Sequence, residues 1–212
     1  ESTKYDIDLF FDKIIKEDDF FIKNGLISKR ESELLNFQKN NSRSHLVFKH
    51  VRYLNLIENF IKNNDNIKIV CLVRNPCATL ISWKNAFKEF DQAWDFSIEW
   101  RCAKKKNRNK KEEFFGFHKW KEAVLLFHYL KNKYPNKVKI IKYCDLLSNT
   151  QYIVKNLFDF VELEFKKSVI EFLSKSTKSF NGGTYSVFRN VREDTLWKKQ
   201  LSNIIKNEIY KE

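Results

Sequence analysis

The segment from Ile67 to Ser82 constrains the fold most, because an apolar strand runs into an arginine where a helix must begin. Ile67 to Val73 is largely β-branched and apolar and reads as a buried strand. Asn75 is a good N-cap, and Pro76 suits the first helical position, where its missing N–H costs nothing. The chain therefore turns sharply at Arg74, leaving the guanidinium at a strand's carboxyl end beside a helix N-terminus. The free N–H groups and the dipole of that helix both favour negative charge. Ser82 lies about two turns into the helix, so its hydroxyl can share a ligand with Arg74 if the helix packs back on the sheet. A phosphate fits both groups.

The same alternation extends along the chain. Strands are expected at residues 45–49, 67–73 and 138–143. Between them, Tyr53, Leu56, Ile57, Phe60 and Ile61 recur at helical spacing, as do Phe117, Trp120, Val124 and Phe127, whose aromatic rings read as core. Residues 1–22 read as an acidic amphipathic helix. This is the pattern of an α/β fold, a three-layer structure with a parallel sheet flanked by helices and right-handed crossovers. Ligands of such sheets bind at the carboxyl ends of the strands, where Lys49, Arg74 and Tyr143 all fall. Near the C-terminus, Gly182 and Gly183 mark a basic loop that continues through Arg189 and Arg192 to a helix carrying Trp197, Leu201, Ile204 and Ile205.

With 212 residues, 42% of them apolar, the chain can bury one substantial core. Two prolines and four glycines leave no flexible linker, so residues 1–212 read as a single domain. Forty Lys and Arg against 27 Asp and Glu give a formal charge of +13, which favours anionic partners: a nucleotide, a sulfated or carboxylated sugar, or nucleic acid. Lys104 to Lys111 holds much of that excess and reads as a solvated surface loop or a helix extension. Cys71, Cys77, Cys102 and Cys144 form no C-x-x-C pair and have no histidines at zinc-site spacing, so no metal is expected and reduced core thiols are. No apolar run approaches the roughly 20 residues of a membrane span. A cytoplasmic protein is expected, or a Golgi-lumenal one if an N-terminal anchor has been removed.

Arg74-Asn75-Pro76 after an apolar strand, with Ser82 eight residues beyond the arginine, resembles the 3′-phosphate-binding segment of sulfotransferases that use 3′-phosphoadenosine 5′-phosphosulfate (PAPS). Two further segments are similar to the same family in the same order. Ile140 to Asn149, with the helix after it, resembles the family's strand ending in Tyr-Glu-Asp-Leu, with Cys144 where Glu is usual; His45 to Arg52 resembles a short strand that carries a Lys and in some members a catalytic His. The resemblance implies a P-loop-like α/β sulfotransferase fold and transfer of a sulfuryl group from PAPS, without metal, to a hydroxyl or amine of an acceptor. It implies cofactor contacts from Arg74, Ser82 and Tyr143, with Arg189 or Arg192 closing over the 3′-phosphate. The family's glycine-containing 5′-phosphosulfate loop does not appear: Gly25, Gly116, Gly182 and Gly183 are the only glycines, and none follows an N-terminal apolar strand. The expectation is that the sequence begins after that loop and its strand; the alternative is a protein that has lost them and is catalytically dead.

For the proton of the acceptor, His50 is the candidate base, since a neutral imidazole accepts a proton near pH 7. The family's histidine lies two residues beyond its lysine, whereas His50 directly follows Lys49, so Lys49 is the competing catalytic candidate. His45, His118 and His128 are weaker. Positive charge favours an acidic or carbohydrate acceptor. A P-loop nucleotide or sugar kinase would need a Gly-x-x-x-x-Gly-Lys-[Ser/Thr] loop, which the chain lacks. A nucleic-acid-binding protein would interleave aromatics with its basic residues, and Lys104 to Lys111 contains none.

Overall fold

The apolar run that precedes Arg74 forms a strand, β1 (Ile69–Val73), and the run that precedes Tyr143 forms β2 (Val138–Lys142). The computed structural model describes residues 2–17, 45–178 and 193–212. Within them β1 and β2 pair in parallel, with Ile69 opposite Val138 and Val73 opposite Lys142. On one face of this two-stranded sheet, Ile69, Cys71, Val138 and Ile140 pack against α2 (Ile57–Asn63) and the long helix α6 (Phe117–Lys133), through Ile57, Ile61, Leu126, Phe127 and Leu130. On the other face, Lys139 reaches α8 (Thr150–Phe160), where its Nζ donates to the Asn156 carbonyl at 2.9 Å and lies over the Phe160 ring. Helices therefore lie on both sides of a parallel sheet, as an α/β fold requires.

A second core surrounds α3 (Pro76–Lys84), which buries Cys77, Ala78, Leu80, Ile81 and Trp83. It packs between α6 and two short C-terminal helices, α10 (Leu196–Gln200) and α11 (Asn203–Lys211), which contribute Trp197, Leu201, Ile205 and Ile209. Phe117 at the start of α6 belongs to this core and Leu130 near its end to the sheet core, so α6 ties the two together. The remaining described helices are α1 (Lys4–Lys16), α4 (Phe96–Cys102), α5 (Lys104–Asn107), α7 (Tyr143–Ser148) and α9 (Lys167–Lys178).

Four expectations need correction. Residues 45–50 form no strand: they run irregularly with Val47 and Phe48 exposed, and Arg52 and Tyr53 dock on the loop before α6 instead of on the sheet. Tyr53 sits in the left-handed region (φ 59°) ahead of α2, and both it and Leu56 are exposed, so the helical face there begins at Ile57. The C-terminal helix is two helices, because Ser202 caps a new one by accepting from the Ile205 N–H, and Ile204 faces solvent. Cys71 and Cys77 are core thiols, and burial pushes Cys71 up to about 12, but Cys144 is exposed because the chain turns into α7 directly after Lys142. Of the amphipathic helix expected over residues 1–22, the described part is α1, opened by a Thr3–Asp6 capping box; residues 18–22 lie outside the described residues.

The basic run extends the preceding helix as the short α5 and exposes Lys104, Lys105, Arg108, Asn109, Lys110 and Lys111, as expected, but it is pinned at Lys106 and Asn107. Lys106 pairs with Glu89 at 2.6 Å and lies over the Phe115 ring. Asn107 is buried, and its amide donates to the carbonyls of Cys102 and Phe115, both at 2.9 Å, while its oxygen accepts from the Phe115 N–H. Asn107→Ala leaves three backbone groups unpaired and is expected to cost about 2–4 kcal/mol in urea unfolding. Asn107→Asp is expected to do no better, because a carboxylate cannot donate to the two carbonyls.

Candidate functional site

Parallel pairing of Val73 with Lys142 brings the next residue of each strand, Arg74 and Tyr143, side by side at the carboxyl edge of the sheet. The Arg74 guanidinium lies 5.2 Å from the centre of the Tyr143 ring, a cation–π contact. The backbone turns here as expected: Asn75 caps α3 by accepting from the Ala78 N–H, and Pro76 is the first helical residue. Trp120, from the first turn of α6, donates its indole N–H to the Arg74 carbonyl at 3.0 Å. The turn is thus clamped from the helix opposite.

The guanidinium itself is bound side-on by Asp194, whose two carboxylate oxygens accept from Arg74 Nε and Nη2, each at 2.7 Å. The hydrogen bonds to Asp194 raise the pKa of Arg74 above its ordinary value, so the group is a permanent cation. Asp194 is in turn held in place, since its carbonyl accepts from the Trp197 indole at 2.9 Å immediately before α10.

Ser82 is exposed, on the one side of α3 that is not packed. Asn75, Thr79 and Ser82 fall within about 60° of one another around the helix axis. Together they make a polar stripe that starts beside Arg74, with the Thr79 hydroxyl donating to the Asn75 carbonyl at 3.1 Å.

Lys49 and His50 are exposed on the irregular segment, and the ring contact of His50 is with Phe48. Among the described residues no hydrogen bond or ion pair joins either to Arg74, Ser82 or Tyr143. What fixes their segment is Arg52, which donates to Glu113 and Glu89, both at 2.8 Å, while the Tyr53 N–H donates to the Glu112 carbonyl. Arg189 and Arg192 lie outside the described residues. Asp194 and Trp120 are participants that the sequence reading missed. An aspartate 120 residues from its arginine leaves no local signal, and the indole of Trp120 was absorbed into the apolar face of α6.

A groove of about 210 Å³ runs along β2 and is walled by Lys139, Ile141, Lys142, Asp145 and Ile153, next to Tyr143. A larger one of about 420 Å³ lies at the far end of α3, among Lys84, Phe90, Trp94 and Phe96, and none of the candidate site residues lines it. None of Lys49, His50, Arg74, Ser82 and Tyr143 lines the smaller groove either, although its wall along β2 ends one residue before Tyr143. No described helix is long and apolar enough to cross a membrane.

Comparison with curated proteins and with solved structures gave no significant match. A family model described as a sulfotransferase domain matches residues 7–207. That span takes in Arg74, Ser82, Tyr143 and Asp194 and both strands of the sheet. The chain therefore belongs to the sulfotransferase domain family, whose reaction is the transfer of a sulfuryl group.

Proposed function

We propose that the protein moves a sulfuryl group from PAPS to a hydroxyl or amine of an acceptor, with Arg74 and Ser82 gripping the 3′-phosphate of the nucleotide. The observation that carries this reading is the meeting of Arg74 and Tyr143 on adjacent strand ends, beside the capped N-terminus of α3 and its polar stripe. An arginine there supplies a planar fork, the stripe supplies the Ser82 hydroxyl, and the helix dipole adds to both. Tyr143 is the neighbour that stacks on the fork. Arg189 and Arg192 are the candidates to close over the same phosphate.

In the reaction the acceptor oxygen or nitrogen attacks sulfur, the bond from sulfur to the bridging phosphate oxygen breaks, and the acceptor's proton passes to a base. His50 is the candidate for that base, with Lys49 beside it as the competing catalytic residue. As in phosphoryl transfer, charge is spread over the equatorial oxygens of the transferred group, though less of it, so positioning and fixed charges carry the catalysis. The formal charge of +13 favours an anionic nucleotide and an acidic or carbohydrate acceptor.

The test is a calorimetric titration with adenosine 3′,5′-bisphosphate against 5′-AMP, followed by label transfer from PAPS to a panel of acceptors. Tighter binding of the bisphosphate supports the reading. Equal binding of the two, or none, removes it.

A further inference from the structure

The Asp194 carboxylate on Arg74 is a strong contact of the candidate site that the nucleotide reading does not use. We infer that Asp194 is a positioning residue for Arg74: it takes the side-on edge of the guanidinium and thereby aims the adjacent, end-on edge at the 3′-phosphate. The inference rests on the proposed nucleotide reading and assigns a role within that site.

A guanidinium carries five N–H donors in one plane. Asp194 accepts from Nε and Nη2, which consumes one N–H of each. The second N–H of Nη2 and both of Nη1 remain, and the outward pair on Nη1 and Nη2 is itself a two-pronged fork suited to a phosphate. Asp194 and a phosphate therefore bind different edges and do not exclude one another. Rotation of the plane is limited further by the Tyr143 ring 5.2 Å from it.

A carboxylate that merely plugged the site would be expected on a part free to swing away. Asp194 is not on one. Its carbonyl is tied to the Trp197 indole, and Trp197 and Leu201 are buried against Leu80 and Ile81 of α3, the helix that begins two residues after Arg74. Both ends of the ion pair thus belong to one packed unit, and the pair holds a direction. It also changes selectivity. With the charge of Arg74 largely balanced by Asp194, a generic anion gains little from the site, while an anion that can accept from both prongs still gains two hydrogen bonds.

The experiment measures adenosine 3′,5′-bisphosphate and 5′-AMP binding by calorimetry for the wild type, Asp194→Ala, Asp194→Asn, Arg74→Ala and the Arg74→Ala/Asp194→Ala double variant. Both Asp194 variants are expected to lose about tenfold or more in affinity for the bisphosphate while 5′-AMP changes less than about twofold, and Asp194→Ala is expected to add no loss once Arg74 is gone. An equal loss for both nucleotides would mean that Asp194 only supports the fold, and would overturn the inference. So would an unchanged or raised bisphosphate affinity in Asp194→Ala, which would make the carboxylate a bystander or a competitor. If the wild type itself does not distinguish the two nucleotides, the nucleotide reading fails and this one with it.

Discussion

Arg74→Ala is expected to lower the affinity for adenosine 3′,5′-bisphosphate by about 100-fold, because two charge-assisted hydrogen bonds are lost and the Asp194 carboxylate is left facing the phosphate. Affinity for 5′-AMP should change little, since that ligand lacks the group Arg74 would hold. Arg74→Lys is expected to recover only part of the loss: an ammonium is a point charge and cannot serve Asp194 side-on and a phosphate end-on together. Some of the loss in the single variant is repulsion from the orphaned carboxylate. Arg74→Ala/Asp194→Asn removes that charge and should bind somewhat better than Arg74→Ala alone. Isothermal titration at fixed ionic strength measures the wild type and these three variants.

Gly116→Ala is expected to destabilise the fold by about 2–5 kcal/mol in urea or thermal unfolding, a large share of the roughly 5–15 kcal/mol that holds a domain together. Gly116 has φ 85° and ψ 167°, a conformation in which a side chain is strained. An added Cβ would also stand 3.0 Å from the Arg101 carbonyl oxygen and 3.1 Å from the Ala103 Cβ and nitrogen. None of these atoms is the tip of a flexible side chain, and Ala103 is fully buried in its own left-handed turn, with φ and ψ both 47°. The strain has a path to the site. Gly116 opens α6, and Trp120, one turn later, holds the Arg74 carbonyl. The same substitution should therefore weaken bisphosphate binding in whatever fraction remains folded.

The parts of the fold that were legible in the sequence rest on local chemistry. Asn75 and Pro76 announce a helix start because a cap and a fixed φ act within three residues, and the structure has both. The end of β2 at Tyr143 was readable within one residue for the same reason, since apolar β-branched residues stop where polar ones begin. The segment 45–50 misled because alternation is only half of what a strand needs. Val47 and Phe48 could line one, yet the hydrogen bonds of the following residues go to Glu112 and Glu113, outside any sheet. Asp194 was not legible at all: its partner is fixed by how α10 packs on α3, which depends on Trp197 and Leu201 finding the same core as Leu80. The basic run is mostly solvated, as its charge implies; what the charge did not reveal is the one buried amide in it, Asn107.

The register of β1 against β2 has the character of a ratchet. Parallel strands can shift past one another only in whole residues, about 3.3 Å at a time, and a shift of one residue also exchanges the faces of every side chain on the moving strand. Arg74 and Tyr143 are neighbours because Val73 stands opposite Lys142. No intermediate misalignment exists in which they meet a little less well; one notch separates them and turns them apart. The register, and not the length of the 64-residue connection between Val73 and Val138, sets the spacing at the sheet edge. Keeping this corner of the molecule takes a count along a hydrogen-bond ladder as well as the side chains that stand at its end.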